Sequence, residues 1–252
     1  MTERKVALVT GSGKKRVGYH VAAALAEREY ALVIHYNTSA QEAAVTAEEF
    51  RSAHGIPVHT IQADLRDDSQ VRAMVAESLQ MFGRLDVLVN CAAIWKRKRL
   101  EETTAADVRE HLEVNTLSTF LTCQMAGLAM VQQAGGGCIV NVGDWAEVRP
   151  YTDHAAYFAS KAAIPGLTRT FAVELGTRNP NVRVNAILPG PVMLPPNLPA
   201  AEKAEAIAAT LVKREGSPEC IAKAVLYLID NDFVTGSCLS VDGGRTVFAG
   251  GT

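Results

Sequence analysis

Two polar residues stand at a spacing that suits proton transfer. Tyr157 and Lys161 are four residues apart, so a helix would present both on one face. An ammonium group beside a phenol favours the phenolate and lowers the pKa of the phenol from its ordinary value of about 10. We therefore expect Tyr157 to act as a general acid in the reduction of a carbonyl or an imine, with Lys161 lowering its pKa. Because this spacing also arises by chance on helix surfaces, the surrounding chain must support the assignment.

A glycine-rich turn near the start of the chain suits a dinucleotide. The apolar segment 5–10 runs into Gly-Ser-Gly-Lys-Lys-Arg-Val-Gly, where a helical pattern begins. Glycines let the backbone approach a diphosphate, and the free N–H groups of a helix N-terminus attract its charge. A structural loop that only needs positive φ angles would fit the turn alone. The order strand, glycines, helix favours a cofactor site built from Gly11, Gly13, Lys14, Lys15, Arg16, Val17 and Gly18.

The charges around this turn favour NADP(H) over NAD(H). NAD-specific sites carry an acidic residue about 20 residues after the glycines, which binds the ribose 2′-hydroxyl. Here no acid follows the second predicted strand before Glu42, whereas Lys14, Lys15 and Arg16 supply cations that suit a 2′-phosphate. The predicted contacts at this end are His35, Tyr36, Asn37, Thr38 and Ser39. Further predicted contacts follow the third and fourth strands: Asp64 and Leu65 at the adenine, Asn90 and Ala92 beneath the cofactor.

Short apolar segments alternate with helical segments along the chain. The predicted strands, each rich in consecutive Val, Leu or Ile, are 5–10, 31–36, 57–62, 85–90, 138–142, 182–187 and 238–241. The predicted helices are 17–28, 40–53, 68–82, 105–133, 155–175, 201–213 and 218–228, the second opened by a capping box at Ser39 and Glu42. This alternation predicts one α/β domain over residues 1–252, a doubly wound parallel sheet of about seven strands with helices on both faces. We expect the proline-rich residues 191–213 to cover a site.

Composition limits the class of protein. The chain has 252 residues, 48% of them hydrophobic, and a formal net charge of −2, which argues against nucleic-acid binding. The five cysteines form no Cys-x-x-Cys pair, so we expect reduced thiols and neither disulfides nor a metal site. The charge-free stretch 114–143 contains too many polar residues and glycines to span a membrane, and we interpret it as a buried helix and strand. No signal peptide is predicted, and we expect a cytoplasmic protein.

Together these motifs resemble the short-chain dehydrogenase/reductase family over nearly the whole chain. The matching features are the glycine turn, Asp64, Asn90, Asn115, Tyr157 with Lys161, and the segments 185–190, 234–236 and 241–244. The resemblance implies a Rossmann fold, an NADP(H)-binding oxidoreductase of a small molecule, and a homotetramer built from helix-packed dimers. It also implies that Lys161 binds the nicotinamide ribose and that Asn115 holds a water leading toward Lys161. The implied cofactor contacts late in the chain are Pro189, Gly190 and Val192.

Two departures from the family pattern narrow the resemblance. The family usually carries a serine thirteen residues before the tyrosine, where this chain has Asp144. Arg16 stands where the middle glycine is expected, in a glycine turn that is one residue longer. With the His-Tyr-x-x-Ser segment at 35–39, these features resemble the pteridine reductases and dihydromonapterin reductases. That branch implies that Asp144, Tyr157 and Lys161 are catalytic. It also implies that Arg16 contacts phosphate and pterin, and that Trp95 stacks on the pterin.

The chemistry of that branch suits these residues. Reduction of a C=N bond needs hydride at carbon and a proton at nitrogen, and a carboxyl beside a tyrosine–lysine pair can relay the proton. We therefore expect an NADPH-dependent reductase of a pterin or dihydropterin, with Asp144 assisting proton delivery. For Asp144 the alternative is a structural cap. For Trp95 it is a core or interface tryptophan.

Two other functions stay open at this point. A 3-oxoacyl-(acyl-carrier-protein) reductase or other carbonyl reductase would share every motif except Asp144, whose carboxylate repels a developing oxyanion unless it is protonated. A non-catalytic NADP(H)-binding regulator would keep the fold without turnover, and the intact Tyr157 and Lys161 count against it. The basic run 96–99 is expected to be a solvated loop, with attraction of an anionic substrate tail as the alternative. Asp153 is expected at the start of the helix of Tyr157, and His154 as a structural histidine.

Overall fold

Seven parallel strands form one sheet in the computed structural model, which describes residues 4–248. The sheet order is β3-β2-β1-β4-β5-β6-β7, so the strand order reverses between β1 and β4. Parallel neighbours must be joined by crossovers, and helices supply them. The strands are β1 (Val6–Thr10), β2 (Ala31–Tyr36), β3 (Val58–Gln62), β4 (Val87–Asn90), β5 (Gly137–Val142), β6 (Val182–Pro189) and β7 (Cys238–Val241).

Helices cover both faces of this sheet. They are α1 (Val17–Ala26), α2 (Ala40–His54), α3 (Asp68–Phe82), α4 (Ala105–His111), α5 (Ser118–Val131), α6 (Ala155–Lys161), α7 (Ile164–Gly176), α8 (Ala200–Ala208) and α9 (Pro218–Asp230). Within β1, Ala7 and Val9 pack in one core with α1, α2 and α9. Val6 and Leu8 pack in the other core with α3, α5 and α7. The central strands are thus buried on both sides, and the parallel sheet between two helix layers confirms the predicted fold class.

Two predicted long helices are interrupted in the structure. The predicted helix 105–133 contains a π-helical segment, Leu112–Leu117, between α4 and α5. The predicted helix 155–175 is divided between α6 and α7, because Pro165 in the first turn of α7 has no N–H with which to continue α6. The predicted helix 201–213 ends early, at Ala208. Hydrophobic periodicity predicted that all three regions are helical, but it did not predict where each helix is interrupted or ends.

The predicted capping box of α2 is wrong. Ser39 is the N-cap of α2 but its side chain forms no capping hydrogen bond, and Glu42 pairs with Lys14 instead, at 3.3 Å. A capping box does form at α4, where Thr104 and Asp107 bond each other's backbone N–H groups. Both segments have the required residue types, so the pattern alone does not decide which one closes.

One described helical stretch, Ala105–Val131, is long and apolar enough to cross a membrane by length and composition. Half of its most apolar window is buried within the fold. There α5 contributes Leu121, Cys123, Ala126 and Met130 to the core that also contains α3 and α7. Packing inside the protein therefore accounts for its apolar composition, as predicted for a buried helix.

The glycine turn is fixed by a histidine of the neighbouring strand. Gly11 has a φ of +65°, and a Cβ added to it would lie 3.0 Å from the Ala92 Cα, so the backbone conformation and the close approach both require glycine. The Gly11 N–H donates to His35 Nδ1 at 3.0 Å, and His35 Nε2 donates to the Ala63 carbonyl at 3.0 Å. Because Nδ1 accepts, the proton of the neutral ring lies on Nε2. Burial lowers the pKa of His35, which favours this neutral form.

We predict that His35 makes folding stability depend on pH. Its pKa in the folded protein is lowered by burial, so protons bind the unfolded chain more readily. The stabilisation is complete above the unfolded pKa, about 6.5, and is lost as the pH falls through the lowered folded pKa. Urea unfolding between about pH 8 and pH 5 measures the loss. In His35→Asn, whose side chain does not titrate, the loss should be smaller. An equal loss in both proteins would contradict the role of His35.

Candidate active site

A cavity of about 980 Å³ lies along the carboxyl ends of the strands. It is lined by Gly11 after β1, Ala92 after β4, Gly143 after β5 and Gly190 at the end of β6. It therefore includes the point where the strand order reverses, which is where doubly wound sheets bind their ligands. A separate cavity of about 590 Å³ between α1 and α9 contains none of the predicted site residues.

Most of the predicted cofactor contacts line the larger cavity. A Cβ on Gly18 would lie 2.8 Å from the Gly11 carbonyl oxygen, so the turn packs tightly against the start of α1 and only glycine fits there. This strand–turn–helix cradle fits a dinucleotide diphosphate. The predicted contacts in the lining are Gly11, Arg16, Val17, Gly18, His35, Asn37, Thr38, Asp64, Leu65, Ala92, Tyr157, Lys161, Pro189, Gly190 and Val192. Those outside it are Gly13, Lys14, Lys15, Tyr36, Ser39 and Asn90.

The two lysines of the glycine turn pair with α2. Lys14 pairs with Glu42 at 3.3 Å, and Lys15 pairs with Glu49 at 3.2 Å, all at exposed positions. Gly13 packs closely against α2, since a Cβ added to it would lie only 2.9 Å from the Ala43 Cβ. Of the three cations predicted at the cofactor, the structure brings only Arg16 to the cavity.

Asp64 is held by an arginine that sequence reasoning missed. Its carboxylate accepts hydrogen bonds from the Arg66 Nε at 2.9 and 3.0 Å and from the Arg66 backbone N–H at 3.1 Å. The Arg66 guanidinium lowers the pKa of Asp64. Both residues line the cavity, so a ligand at this end meets a neutralised pair. The spacing Asp-x-Arg after a strand was the available signal.

Asn90 and Asn115 are engaged by the protein itself. The Asn90 side chain bonds Asn141 at 2.9 Å and Thr122 at 2.9 Å, which joins β4 and β5 to α5 beneath the cavity. Asn115, in the π-helical segment, accepts from the Ile94 N–H at 2.8 Å and donates to the Ile94 carbonyl and to Ser160 Oγ. Both N–H groups of Asn115 are therefore used, and one lone pair of its oxygen is left for the predicted water.

The Tyr157 hydroxyl donates to Asp144 Oδ2 at 2.7 Å. The other carboxylate oxygen, Oδ1, accepts from the Ala146 N–H at 2.8 Å and caps the short 3-10 turn Trp145–Glu147. Asp144 thus caps this turn, which is the structural role expected as the alternative, and it also contacts the candidate catalytic hydroxyl. Burial raises the pKa of Asp144, against the opposing effects of these two hydrogen bonds and of Lys161.

The prediction that Lys161 lowers the pKa of Tyr157 is wrong for this arrangement. Tyr157 is only 5% exposed, and burial together with the Asp144 carboxylate raises its pKa well above the ordinary value. The Lys161 ammonium donates to the Val142 carbonyl at 2.7 Å. Burial lowers the pKa of Lys161, partly offset by Asp144. The phenol therefore stays protonated, because burial and the neighbouring Asp144 both disfavour the phenolate.

An aromatic cluster surrounds this pair, and only Trp95 in it was predicted as a site residue. The Trp95 indole stacks on His154 at 4.6 Å, and its Nε1 donates to the Tyr151 hydroxyl at 3.1 Å. Tyr151 in turn stacks on Trp145 at 6.2 Å. One face of Trp95 is therefore occupied by His154, and only the opposite face is available to a ligand. The density of aromatic residues between Asp144 and Tyr157 was the signal for Trp145 and Tyr151.

The basic run 96–99 is neutralised by nearby acids. Arg97 reaches Asp153 at 3.3 Å and Glu202 of α8 at 3.4 Å. Asp153 does not start a helix as predicted: it has a φ of +65°, and α6 begins after it at Ala155. The other ion pairs are Lys96–Glu110, Lys98–Asp107 and Arg99–Glu102. Residues 96–99 thus form a loop that is held by ion pairs.

The segment 191–213 runs along the cavity. Val192, Met193, Leu194 and Leu198 line it before α8 begins, and Ala206 of α8 lines it as well. Glu215 holds the segment by accepting from the Leu194 N–H at 3.0 Å. The segment thus lies beside the cavity, and its covering of a bound ligand stays a prediction.

Comparison with known proteins agrees with this geometry. A family model described as enoyl-(acyl carrier protein) reductase matches residues 12–246. The (2S)-[(R)-hydroxy(phenyl)methyl]succinyl-CoA dehydrogenase subunit BbsD of Thauera aromatica is 34% identical, over 98% of this chain and 99% of its own. Carbonyl reductase family member 4 of Xenopus laevis is 32% identical, over 95% and 97%.

Comparison with solved structures supports the same family. The crystal structure of acetoin dehydrogenase from Enterobacter cloacae superposes with a TM-score of 0.89 at 32% identity, covering 100% of this chain and 99% of that one. Family membership brings with it oxidoreductase activity and a nicotinamide cofactor, and the cradle described above fits such a group. The chain belongs to the short-chain dehydrogenase/reductase family.

Proposed function

We propose that the protein is an NADPH-dependent reductase of a C=N bond in a pterin or dihydropterin. The observation that carries the proposal is the 2.7 Å hydrogen bond between the Tyr157 hydroxyl and Asp144, at the position where the family usually has serine. A serine hydroxyl serves to hold a substrate oxygen. A carboxyl group can instead take up and release a proton, which suits a nitrogen that must be protonated.

The proposed mechanism divides the work between cofactor and protein. The bound nicotinamide supplies the hydride, and the residues of the chain supply the proton. Tyr157 is held in its neutral form by burial and by Asp144, so it has a proton to donate to the substrate nitrogen. Asp144, whose pKa is raised by burial, then takes up a proton from solvent and passes it to the phenolate. Lys161 lies buried nearby, and its positive charge stabilises the negative charge left on the pair.

Two further features support a flat, nitrogen-rich substrate. The exposed face of Trp95 offers a stacking surface in the cavity, worth about 1 kcal/mol beyond burial. When it is ionised, Asp144 would accept hydrogen bonds from ring N–H groups, whereas an alkoxide formed from a ketone would meet its negative charge at close range.

A carbonyl reductase is the second candidate. It is favoured by the names of the relatives, which include a carbonyl reductase and dehydrogenases of hydroxy compounds. In that case Asp144 would have to be protonated during the reaction, and the raised pKa caused by burial is in the direction that permits this.

The preference for NADP(H) is supported by the charges at the other end of the cavity. Among residues 4–248, Arg16 forms no ion pair, and it lines the cavity with Asn37 and Thr38. Asp64, the acid that follows β3, is already paired with Arg66. Near Arg16, Asn37 and Thr38 the described lining residues thus offer no unpaired carboxylate to a ribose 2′-hydroxyl, while Arg16 suits a 2′-phosphate.

Assembly with further copies of the chain is part of the proposal. Leu117, Phe120 and Leu128 are exposed on the helical stretch that ends in α5, and Val173 is exposed on α7. These neighbouring apolar side chains favour a helix-packed dimer, doubled to a tetramer.

We predict that Arg16→Ala weakens NADPH binding by about 10-fold to 100-fold, the effect of losing one charge-assisted hydrogen bond to phosphate. NADH binding should change by less than about 3-fold, because NADH has no 2′-phosphate. Titration of the cofactor by fluorescence measures both. Lys15→Ala is the matched control, because the ion pair with Glu49 keeps this cation outside the cavity. Equal losses for NADPH and NADH would argue against a 2′-phosphate contact.

We predict that Asp144→Ser separates the two candidate activities. With dihydrobiopterin and NADPH, turnover should fall by about 100-fold or more, because the proton relay is lost. With acetoacetyl thioester it should rise, because a hydroxyl replaces a carboxylate beside the developing oxyanion. NADPH oxidation measures both reactions, and Tyr157→Phe should be inactive with either substrate. Wild-type turnover of the thioester alone would favour the carbonyl reductase.

A further inference from the structure

Arg245 places a cation in the cavity without a carboxylate partner. It follows β7, and its guanidinium carbon lies 4.5 Å from the centre of the Trp145 ring. Its Nη1 donates to the Ala206 carbonyl of α8 at 2.6 Å. Its Nε is buried and has no hydrogen-bond partner among the described residues. Within residues 4–248 it forms no ion pair, although Asp144 and Glu205 are near enough to stabilise its charge.

The backbone that carries Arg245 is held on both sides. The Asp242 carboxylate accepts from the Gly244 N–H at 2.9 Å and from the Thr246 N–H at 2.6 Å. The Arg149 guanidinium donates to the carbonyl oxygens of Arg245 at 3.0 Å and of Thr246 at 3.3 Å. The side chain thus starts from a fixed point and rests on an aromatic ring, which restricts its conformations.

The other two arginines in this lining outside the glycine turn are already paired. Arg97 contacts Asp153 and Glu202, and Arg66 contacts Asp64. In Arg245 the bond to Ala206 uses Nη1 only, which leaves the Nε–Nη2 edge. That edge is the fork that binds a carboxylate through two parallel hydrogen bonds. An unpaired buried donor is costly, so a ligand acceptor there gains affinity.

We propose that Arg245 is a substrate-binding residue that selects substrates carrying a carboxylate. The carboxylate would bind the Nε–Nη2 edge beside Trp145, while the reacting bond lies at Tyr157. The inference rests on the proposed function for the placement of the reacting bond. It extends that function by naming an anionic group on the substrate. It does not depend on whether the bond reduced is C=N or C=O.

The test compares matched acids and esters. Dihydrofolate and its dimethyl ester form one pair, and a 4-oxo acid and its methyl ester form the other. One of these two pairs should be turned over by the wild-type protein. With NADPH bound, we expect it to bind the acid of that pair about 10-fold to 100-fold more tightly than the ester. Tryptophan fluorescence and KM measure this preference. In Arg245→Met this preference should fall to less than about 3-fold, because only the acid loses a partner for its carboxylate.

Two controls separate recognition from support of the fold. Arg97→Met removes another cavity arginine, whose charge is already paired, and should keep the preference for the acid. Arg245→Lys retains the positive charge without the planar fork and should keep part of the preference. Equal binding of acid and ester by the wild-type protein, or an unchanged preference in Arg245→Met, would overturn the proposal. Failure of the pterin function appears separately, as turnover of the oxo-acid pair only. If neither pair turns over, the binding constants alone decide the role of Arg245.

Discussion

The rest of the cavity depends on the hydrogen bond between Tyr157 and Asp144. A buried phenol beside a buried carboxyl keeps its proton, and the same carboxyl fixes the turn that carries Trp145. The Lys161 ammonium donates to the Val142 carbonyl, and its positive charge offsets negative charge on Asp144. The aspartate at the position where the family usually has serine therefore adds a group that can hold a proton and also caps the turn. This one contact links the shape of the site to its proposed chemistry.

The parallel sheet explains why so many separate segments meet at this contact. All carboxyl strand ends share one edge, and the loops after β1, β4, β5 and β6 all line the cavity. Gly11 can lie against Ala92 only because it has no side chain, and His35 fixes the turn from the next strand. Such a frame positions a cofactor cradle and a proton donor at one edge of the sheet.

The sequence allowed accurate prediction of the fold, because burial on both faces produces continuous apolar strands. The bounds of β2, β7 and α3 agree with the predicted ones. Charge pairing could not be predicted, since it depends on neighbours brought by folding. Lys14 and Lys15 had the right charge for a phosphate but meet acids of α2. The pKa of Tyr157 was misjudged for the same reason, because its partner is Asp144. Arg245 carried no local signal and is distinguished only by its surroundings.

The protonation state of Asp144 decides whether this carboxyl group can relay a proton to Tyr157. Infrared difference spectra between the wild-type protein and Asp144→Asn isolate the carboxyl band of this residue across a pH titration. We predict a protonated carboxyl band that persists above the ordinary aspartate pKa of about 4 and weakens as the pH rises further. Ionisation of Asp144 at or below that ordinary value would contradict a carboxyl group that holds and relays a proton.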